Sequence, residues 1–343
     1  MSSIDIIVPC YRYGRYLREC VESLLNQGVE DMRVLIIDDE SPDETPEVSN
    51  ALARKDPRVS FRRHSKNRGH VSTYNEGIEW LAADYMLLLS ADDYLLPGTL
   101  KRAMALMDAN PAIGFTFGDA TASLEDGALQ PMVLQVEGIN AADTTIMQGR
   151  EFIEASARQG AINIVPTPTA VVRTALLKQL GGYDAALPHT ADLELWLRLA
   201  AHSCVGHLHG AQAVYRRHSA NMSLGYMRDN ALRDLQQRQA ALETFFERCE
   251  SKFPDGKLLL NRLFEALALD SISQASIAFN NGDASLSNQI CKFAQGIHPG
   301  VNRTMAWKRL AIKRLAGRKL TNLVVPALTR WRGPAVKVGG EPT

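Results

Sequence analysis

Two aspartates close an apolar run: the stretch Asp84–Leu89 leads directly into Ser90, Ala91, Asp92 and Asp93. Adjacent carboxylates at the end of a buried strand repel one another unless a cation neutralises them. Oxygen ligands of this kind suit Mg²⁺ or Mn²⁺, which commonly bridge to substrate phosphates, so the pair points to a diphosphate site. The competing reading is a turn, or a cap for the helix that Pro97 opens. A second acidic cluster, Asp38, Asp39, Glu40, Asp43 and Glu44, surrounds Ser41, Pro42 and Thr45. So many acids cannot share one anion. They suit hydrogen bonds to ribose hydroxyls or to a base N–H, with Asp43 or Thr45 left to cap the next helix. Asn67, Arg68, Gly69 and His70 supply a cation and a flexible backbone, and Arg68 could meet a phosphate there, or lie solvated on a turn.

These clusters need a scaffold that brings them to one side. The first 120 residues alternate short apolar runs with helical periodicity, the pattern of a parallel sheet wrapped by helices. Strands are predicted at Ile4–Pro9, Val34–Asp38, Val59–Arg63 and Asp84–Leu89, and helices at Tyr16–Gln27, Thr45–Lys55, Val71–Ala82 and after Pro97. Ligands of open α/β sheets sit beyond the carboxyl ends of the strands, where Cys10–Arg15, Asp38–Asp43, His64–His70 and Ser90–Asp93 all fall. Beyond residue 120 the pattern turns irregular to about residue 147. A helix at Arg150–Gln159, a loop at Asn163–Thr169, an amphipathic helix at Thr190–Ala201 and an edge strand at Cys204–Tyr215 follow, and from Gly225 the chain reads as helical. Lid or acceptor loops are expected over 120–170. Trp196 and Leu199 read as core.

Residues 6–12, 17–27, 34–43, 67–69 with 74–77, and 90–98 together resemble the bacterial family 2 inverting glycosyltransferases of GT-A fold. The resemblance continues at Arg173, 181–184, 191–200 and 215–223, and so covers roughly residues 3–223. It implies a Rossmann-like, mostly parallel sheet flanked by helices, with residues 1–223 as the catalytic domain and 224–343 as a helical C-terminal extension. It also implies that Pro9 and Tyr11 border the nucleobase, that Asp39 with Asp38 binds base or ribose, and that Asp92 and Asp93 hold Mn²⁺ or Mg²⁺ and touch ribose or phosphate. Asp192 matches the catalytic base, and His218 falls where some members bring a histidine to the metal or diphosphate. With Asn67, Arg68 and Gly69 these residues make up the expected nucleotide-sugar site. Inversion needs one in-line displacement, with one base and no enzyme nucleophile. At the start of a helix the macrodipole is expected to lower the pKa of Asp192, unless that residue is only an N-cap. Four positions depart from the family pattern. Ser90 and Ala191 stand where acids are usual, Arg12 where Asn is usual, and Glu40 where Gly is usual.

The donor implied is a nucleoside-diphosphate sugar, a UDP-sugar by default, and the acceptor a hydroxyl on a glycan or lipid-linked glycan. A nucleotide-sugar-binding protein of the same fold that has lost catalysis remains the alternative, kept open by Ser90 and Ala191. A dehydrogenase is disfavoured because no GxGxxG follows the first strand, and a nucleotidyltransferase because Cys10–Arg15 holds one glycine. Thirty-eight Lys and Arg balance 38 Asp and Glu among the 343 residues, so no nucleic-acid surface is expected. Five scattered cysteines form no CxxC pair and suggest neither a disulfide framework nor a zinc knuckle. With no basic leader and no apolar run of roughly 18 residues, a cytoplasmic setting is expected. The charge balance is uneven, however: residues 301–343 carry ten Lys and Arg and one Glu. Over 302–332 the basic residues interleave with Trp307, Leu310, Ile312, Leu315, Leu320, Leu323 and Val324, a composition that suits an anionic membrane surface at the inner face, or a solvated helix.

Overall fold

All seven residues of β1 (Ile4–Cys10) are buried, as a strand covered on both faces requires. That burial includes Asp5, whose carboxylate therefore needs partners. Arg33 donates to it twice (Nε to Oδ1, 2.7 Å; Nη2 to Oδ2, 2.6 Å), and the Ala82 and Ala83 N–H groups donate to Oδ2 at 2.6 and 2.9 Å. One acid thereby ties β1 to β2 (Met32–Asp38) and to the turn that enters β4 (Tyr85–Leu88). A computed structural model of the chain describes residues 2–124, 128–132, 144–218, 221 and 231–328; for residues 132 and 318–328 it describes the backbone alone.

The sheet runs in the order β3 (Val59–Arg63), β2, β1, β4, β9 (Val171–Arg173), β6 (Ile113–Ser123), β10 (Cys204–Arg216), β5 (Tyr94–Leu95), with β7 (Leu129–Met132) beside β6 and β8 (Thr144–Met147) beside β10. Its first half, β3 (Val59–Arg63) through β4, is parallel. Around it wind α1 (Gly14–Leu25), α2 (Thr45–Lys55) and α3 (His70–Trp80). The apolar stripe of α1, Leu17, Cys20, Val21 and Leu24, is buried as its spacing predicts. The first turns of α1 and α2 nearly touch: a Cβ at Gly14 would stand 2.7 Å from the Thr45 nitrogen, so only glycine fits there. The predicted bounds of α2 and β3 agree with those observed, and the other ends shift by one or two residues, the usual fraying at element termini.

The second half is mixed. The short strand β5 (Tyr94–Leu95) leads to α4 (Thr99–Ala109) and to the long β6 (Ile113–Ser123), followed by β7 (Leu129–Met132), β8 (Thr144–Met147) and α5 (Gly149–Arg158). Then come β9 (Val171–Arg173), α6 (Thr174–Leu180), α7 (Ala191–Ala200) and β10 (Cys204–Arg216). The prediction of an edge strand at Cys204–Tyr215 is corrected. β10 runs parallel to β6 on one side and carries β8 and β5 antiparallel on the other, so it lies inside the sheet. Its mixed sequence, with His207, His209 and Gln212 among apolar residues, reads as half-exposed, yet His207 and Gln212 are buried. Trp196 and Leu199 are core residues, as expected.

By packing, the chain forms two units, Met1–Leu263 and Phe264–Thr343. The helix α8 (Ala231–Cys249) packs on α7 and so belongs with the first, although it follows residue 223 in the chain. The boundary falls inside α9 (Gly256–Asn280). The second unit continues with α10 (Ala284–Ile297), capped by Asp283 through the Leu286 N–H at 2.8 Å, and α11 (Met305–Leu328), interrupted at Gly317. Of the basic stretch 302–332, residues 329–332 lie outside the described residues.

Although burial raises the Asp5 pKa, Arg33 and the two amides outweigh it and hold the carboxyl below the ordinary range. A lowered folded-state pKa stabilises the fold fully above about pH 4, and this contribution is lost as pH falls through the folded value. Asp5→Ala should cost about 3 kcal/mol in urea unfolding at pH 7, because it leaves two buried amides unpaired, and the deficit relative to wild type should shrink below pH 4.

Candidate active site

Four loops at the carboxyl ends of β1, β2, β3 and β4 meet on one side of the sheet. Asp38 and Asp39 are neighbours in sequence but do different work. Asp38 is fully buried; its Oδ1 accepts the Ser41 N–H at 2.9 Å, and its Oδ2 lies 3.1 Å from Arg63 Nε as an ion pair without hydrogen-bond geometry, so it braces the turn from inside. Asp39 ties its own loop to the one that follows β3. Its Oδ1 accepts the Arg68 N–H (2.7 Å) and meets His64 Nδ1 (2.7 Å), its Oδ2 accepts the Gly69 N–H (2.8 Å), and its carbonyl accepts Asn67 Nδ2 (3.0 Å). Arg68 turns its guanidinium onto Glu76 at 2.6 Å. The N-cap of α2 is Glu44, not Asp43 or Thr45 as expected; Asp43, one residue earlier, still receives N–H groups from the first residues of both α1 and α2, at Gly14 and Thr45 (3.2 Å each). Pro9 is buried, its carbonyl accepting the Ala91 N–H at 3.3 Å, while Tyr11 beside it is 39% exposed, with the Arg12 guanidinium over its ring at 5.2 Å.

Asp92 and Asp93 lie at the next loop, both buried. Asp92 Oδ2 stands 3.2 Å from His218 Nε2 and accepts Asn221 Nδ2 at 3.2 Å, so residues more than 120 apart in sequence come together here. Asp93 Oδ1 accepts the Arg216 N–H at 3.0 Å. Burial, and then the charge of Asp92, push the Asp93 carboxyl well above the usual range. Arg216 is clamped between the rings of Tyr16 (5.0 Å) and Tyr94 (4.7 Å), donates to the Asp92 carbonyl at 2.6 Å and pairs with Glu19. His218 stacks on Tyr16 and meets the edge of Tyr13, and its Nδ1 has no partner among the described residues. Ser90, at the position where an acid is usual, bonds the Tyr74 phenol.

Asp192 completes the arrangement. It shares with Asp93 the lining of one cavity of about 330 Å³, whose walls include His70, Tyr74, Tyr183 and Pro188. Arg68 and Gly69 line an adjoining groove of about 740 Å³ instead, walled off by His70, whose Nε2 bonds the Pro188 carbonyl at 2.8 Å. Thr190, not Asp192, is the N-cap residue of α7. Asp192 Oδ1 accepts the Leu193 N–H and its Oδ2 accepts Asn163 Nδ2, both at 2.7 Å. The Asn163 amide is itself oriented by the Val165 N–H, which it accepts at 2.8 Å. The expectation that the helix terminus lowers the Asp192 pKa is corrected. Burial raises it above the ordinary carboxylate range, against the opposing pull of the Leu193 N–H, Asn163 and His189.

The glycosyl transferase family 2 profile matches residues 5–181, more than half of the chain. The chain belongs to glycosyl transferase family 2. An uncharacterized glycosyltransferase of Haemophilus influenzae is 31% identical over 153 residues, 44% of this chain and 60% of that protein. The chondroitin synthase of Pasteurella multocida is 26% identical over 223 residues, 64% of this chain and 21% of that much longer protein. Among solved structures, Staphylococcus aureus TarS 1–349 in complex with UDP-GlcNAc superposes with a TM-score of 0.53 at 17% identity, covering 86% of this chain and 92% of that one. At that identity the likeness concerns the fold, which is GT-A with a C-terminal helical region.

Asp92 and Asp93 are buried carboxylates of the kind Mn²⁺ and Mg²⁺ take as ligands, with His218 Nε2 3.2 Å from Asp92, and burial together with the charge of Asp92 raises the Asp93 pKa, as in a pocket short of positive charge. Among the described residues no three His, Cys, Asp or Glu side chains are arranged to hold a metal by themselves, and Mg²⁺-type sites ordinarily take part of their shell from water and substrate phosphate. Arg216, Asn221 and Asn163 carry no mark in the sequence as site residues, since their partners lie 29 or more residues away. The departures at Arg12 and Glu40 have a measurable consequence. Both residues adopt φ of 65°, the left-handed region that Asn and Gly tolerate and other side chains resist. Arg12→Asn should therefore stabilise the protein by about 1 kcal/mol, read as a rise of a few degrees in melting temperature, since the Arg12 N–H bond to Ser41 Oγ is a backbone contact and survives.

Proposed function

We propose that the chain is a metal-dependent inverting glycosyltransferase that moves a sugar from a nucleoside-diphosphate donor to an acceptor hydroxyl. The observation that carries this reading is the single cavity lined by both Asp192 and Asp93. Tyr11 offers its exposed ring to the nucleobase, and Pro9 shapes the wall behind it. The loop Asn67–Gly69, its N–H groups held by Glu40 and Asp39, would border the nucleotide without donating to it from the backbone, and Asp38 acts through the turn it braces. Asp92, Asp93 and His218 would hold Mn²⁺ or Mg²⁺, which when bound neutralises charge on the diphosphate. Asp192 accepts the proton of the acceptor hydroxyl as that oxygen bonds to the anomeric carbon and the bond from that carbon to the diphosphate oxygen breaks. Its raised pKa suits a general base. Asn163 aims the carboxylate, taking the place of the acid absent at Ala191.

The donor base is read as uridine, in keeping with the TarS complex with UDP-GlcNAc. The acceptor is read as a growing glycan or lipid-linked glycan, in keeping with the chondroitin synthase relative and with a basic stretch at 302–332 suited to an anionic membrane face. The competing reading, a sugar-nucleotide-binding protein without catalysis, is favoured by Ser90 and Ala191.

Transfer should fall by about 10²- to 10⁴-fold in Asp192→Asn, while donor affinity by calorimetry changes little; equal turnover in the variant sinks the base assignment. Because the base works unprotonated, kcat/KM should drop as pH falls through a value above the ordinary carboxylate range, and Asn163→Ala should move that limb higher still. In thermal-shift measurements UDP, GDP and dTDP should separate, with one of them stabilising the protein only when Mn²⁺ is present, and Asp93→Asn should remove the metal-dependent part.

A further inference from the structure

The first segment of α11, residues 305–316, buries Leu310 and half-buries Trp307, yet it also turns cations inward and leaves large apolar side chains outward. Toward its own unit it turns Leu310, 4% exposed, together with two cations. Lys313 Nζ donates to Ser276 Oγ at 2.8 Å, and Arg314 Nη2 donates to Ser287 Oγ (2.5 Å) and Cys291 Sγ (3.3 Å). Toward solvent it turns Met305 (63% exposed), Ile312 (66%) and Leu315 (88%), with Lys308 and Arg309 exposed between them. Positions 305, 308, 309, 312 and 315 follow the three- and four-residue spacing of a single helix face. A helix that merely covers a water-soluble unit shows the reverse, apolar side in and charged side out.

The surroundings select the occupant of that face. Residues 302–328 contain seven Lys and Arg and no Asp or Glu, so the segment suits an anionic surface. A second copy seated two-fold on the same face would set Lys308 and Arg309 against themselves. Among the described residues no helix is long and apolar enough to cross a membrane. The segment, about 18 Å long and ended by Gly317 at φ 75°, has the dimensions of one that lies in the interface plane.

We propose that this outer face docks flat on an anionic lipid surface, with Met305, Ile312 and Leu315 entering the boundary between headgroups and acyl chains and Lys308 and Arg309 meeting the lipid phosphates. This narrows the basic stretch of the proposed function to one helix face, and it is read by binding alone. The transferase reading is tested separately by turnover without lipid.

The test is co-sedimentation of the full chain with phosphatidylcholine vesicles, with and without about one third phosphatidylglycerol, at low and raised salt. Binding should require phosphatidylglycerol and weaken with salt. Ile312→Ser/Leu315→Ser should lower the partition coefficient about tenfold or more, and Lys308→Ser/Arg309→Ser about tenfold, whereas Lys313→Ser, which removes an inward cation, should lower it less than either. Circular dichroism and melting temperature should match the wild type for the outward variants. The proposal is overturned by absence of binding to the anionic vesicles, by binding that survives Ile312→Ser/Leu315→Ser, or by a dimer in solution that this double variant dissolves.

Discussion

Two carboxylates held side by side out of water are unfavourable twice over, through lost hydration and through mutual repulsion. Asp92 and Asp93 are such a pair, and much of the first unit can be understood as the means of keeping them there. β10 runs the length of β6 and continues until its last residue, Arg216, can give its backbone N–H to Asp93. His218 and Asn221 follow at once to engage Asp92. The aromatic residues at the start of α1 support the histidine and the arginine from behind. What these contacts leave incomplete is positive charge, and the raised Asp93 pKa records that shortfall. In the proposed reading a divalent cation would supply it.

The opposite wall of the cavity is built on the same economy of buried charge. Glu194 and Arg198, one turn apart on α7 and both buried, pair through two hydrogen bonds of 2.8 and 2.9 Å. The remaining guanidinium donors go to the carbonyls of Leu180, Gly181 and Gly182. That clamp fixes the loop carrying Tyr183, whose backbone is bound in turn by Asn75 of α3. Asp192 therefore stands on a helix anchored to the loop that lines its own cavity, and the geometry of a candidate base is set by rigid elements instead of a mobile loop. A fully partnered ion pair of this kind contributes more to a unique arrangement than to net stability.

The positions where the chain departs from its family's usual residues are structurally uneven. Arg12 and Glu40 keep a backbone shape that suits Asn or Gly, and Glu40 offsets part of the strain by accepting the Asn67 N–H at 2.7 Å. Ser90 finds the Tyr74 phenol. Ala191 carries no charge, and Asp192 beside it is bound instead by Asn163, which donates to its Oδ2 from a different loop.

Much of this architecture was legible in the residues themselves, because apolar periodicity and turn chemistry are local properties. The alternation of strands and helices to residue 109, the bounds of α2 and β3 and the collection of polar clusters at strand ends all follow from neighbours within a few positions. Burial and partnership are not local, and the tertiary structure alone decided them. It turned Asp38 inward and made Asp39 a knot, placed β10 inside the sheet, and brought His218 to Asp92. It set Asp192 where loss of water outweighs the helix dipole and raises the pKa, and it faced Ile312 and Leu315 outward while Lys313 and Arg314 turned in. Each of these depends on which distant groups exclude water from a side chain or replace it, and a one-dimensional pattern carries no measure of that.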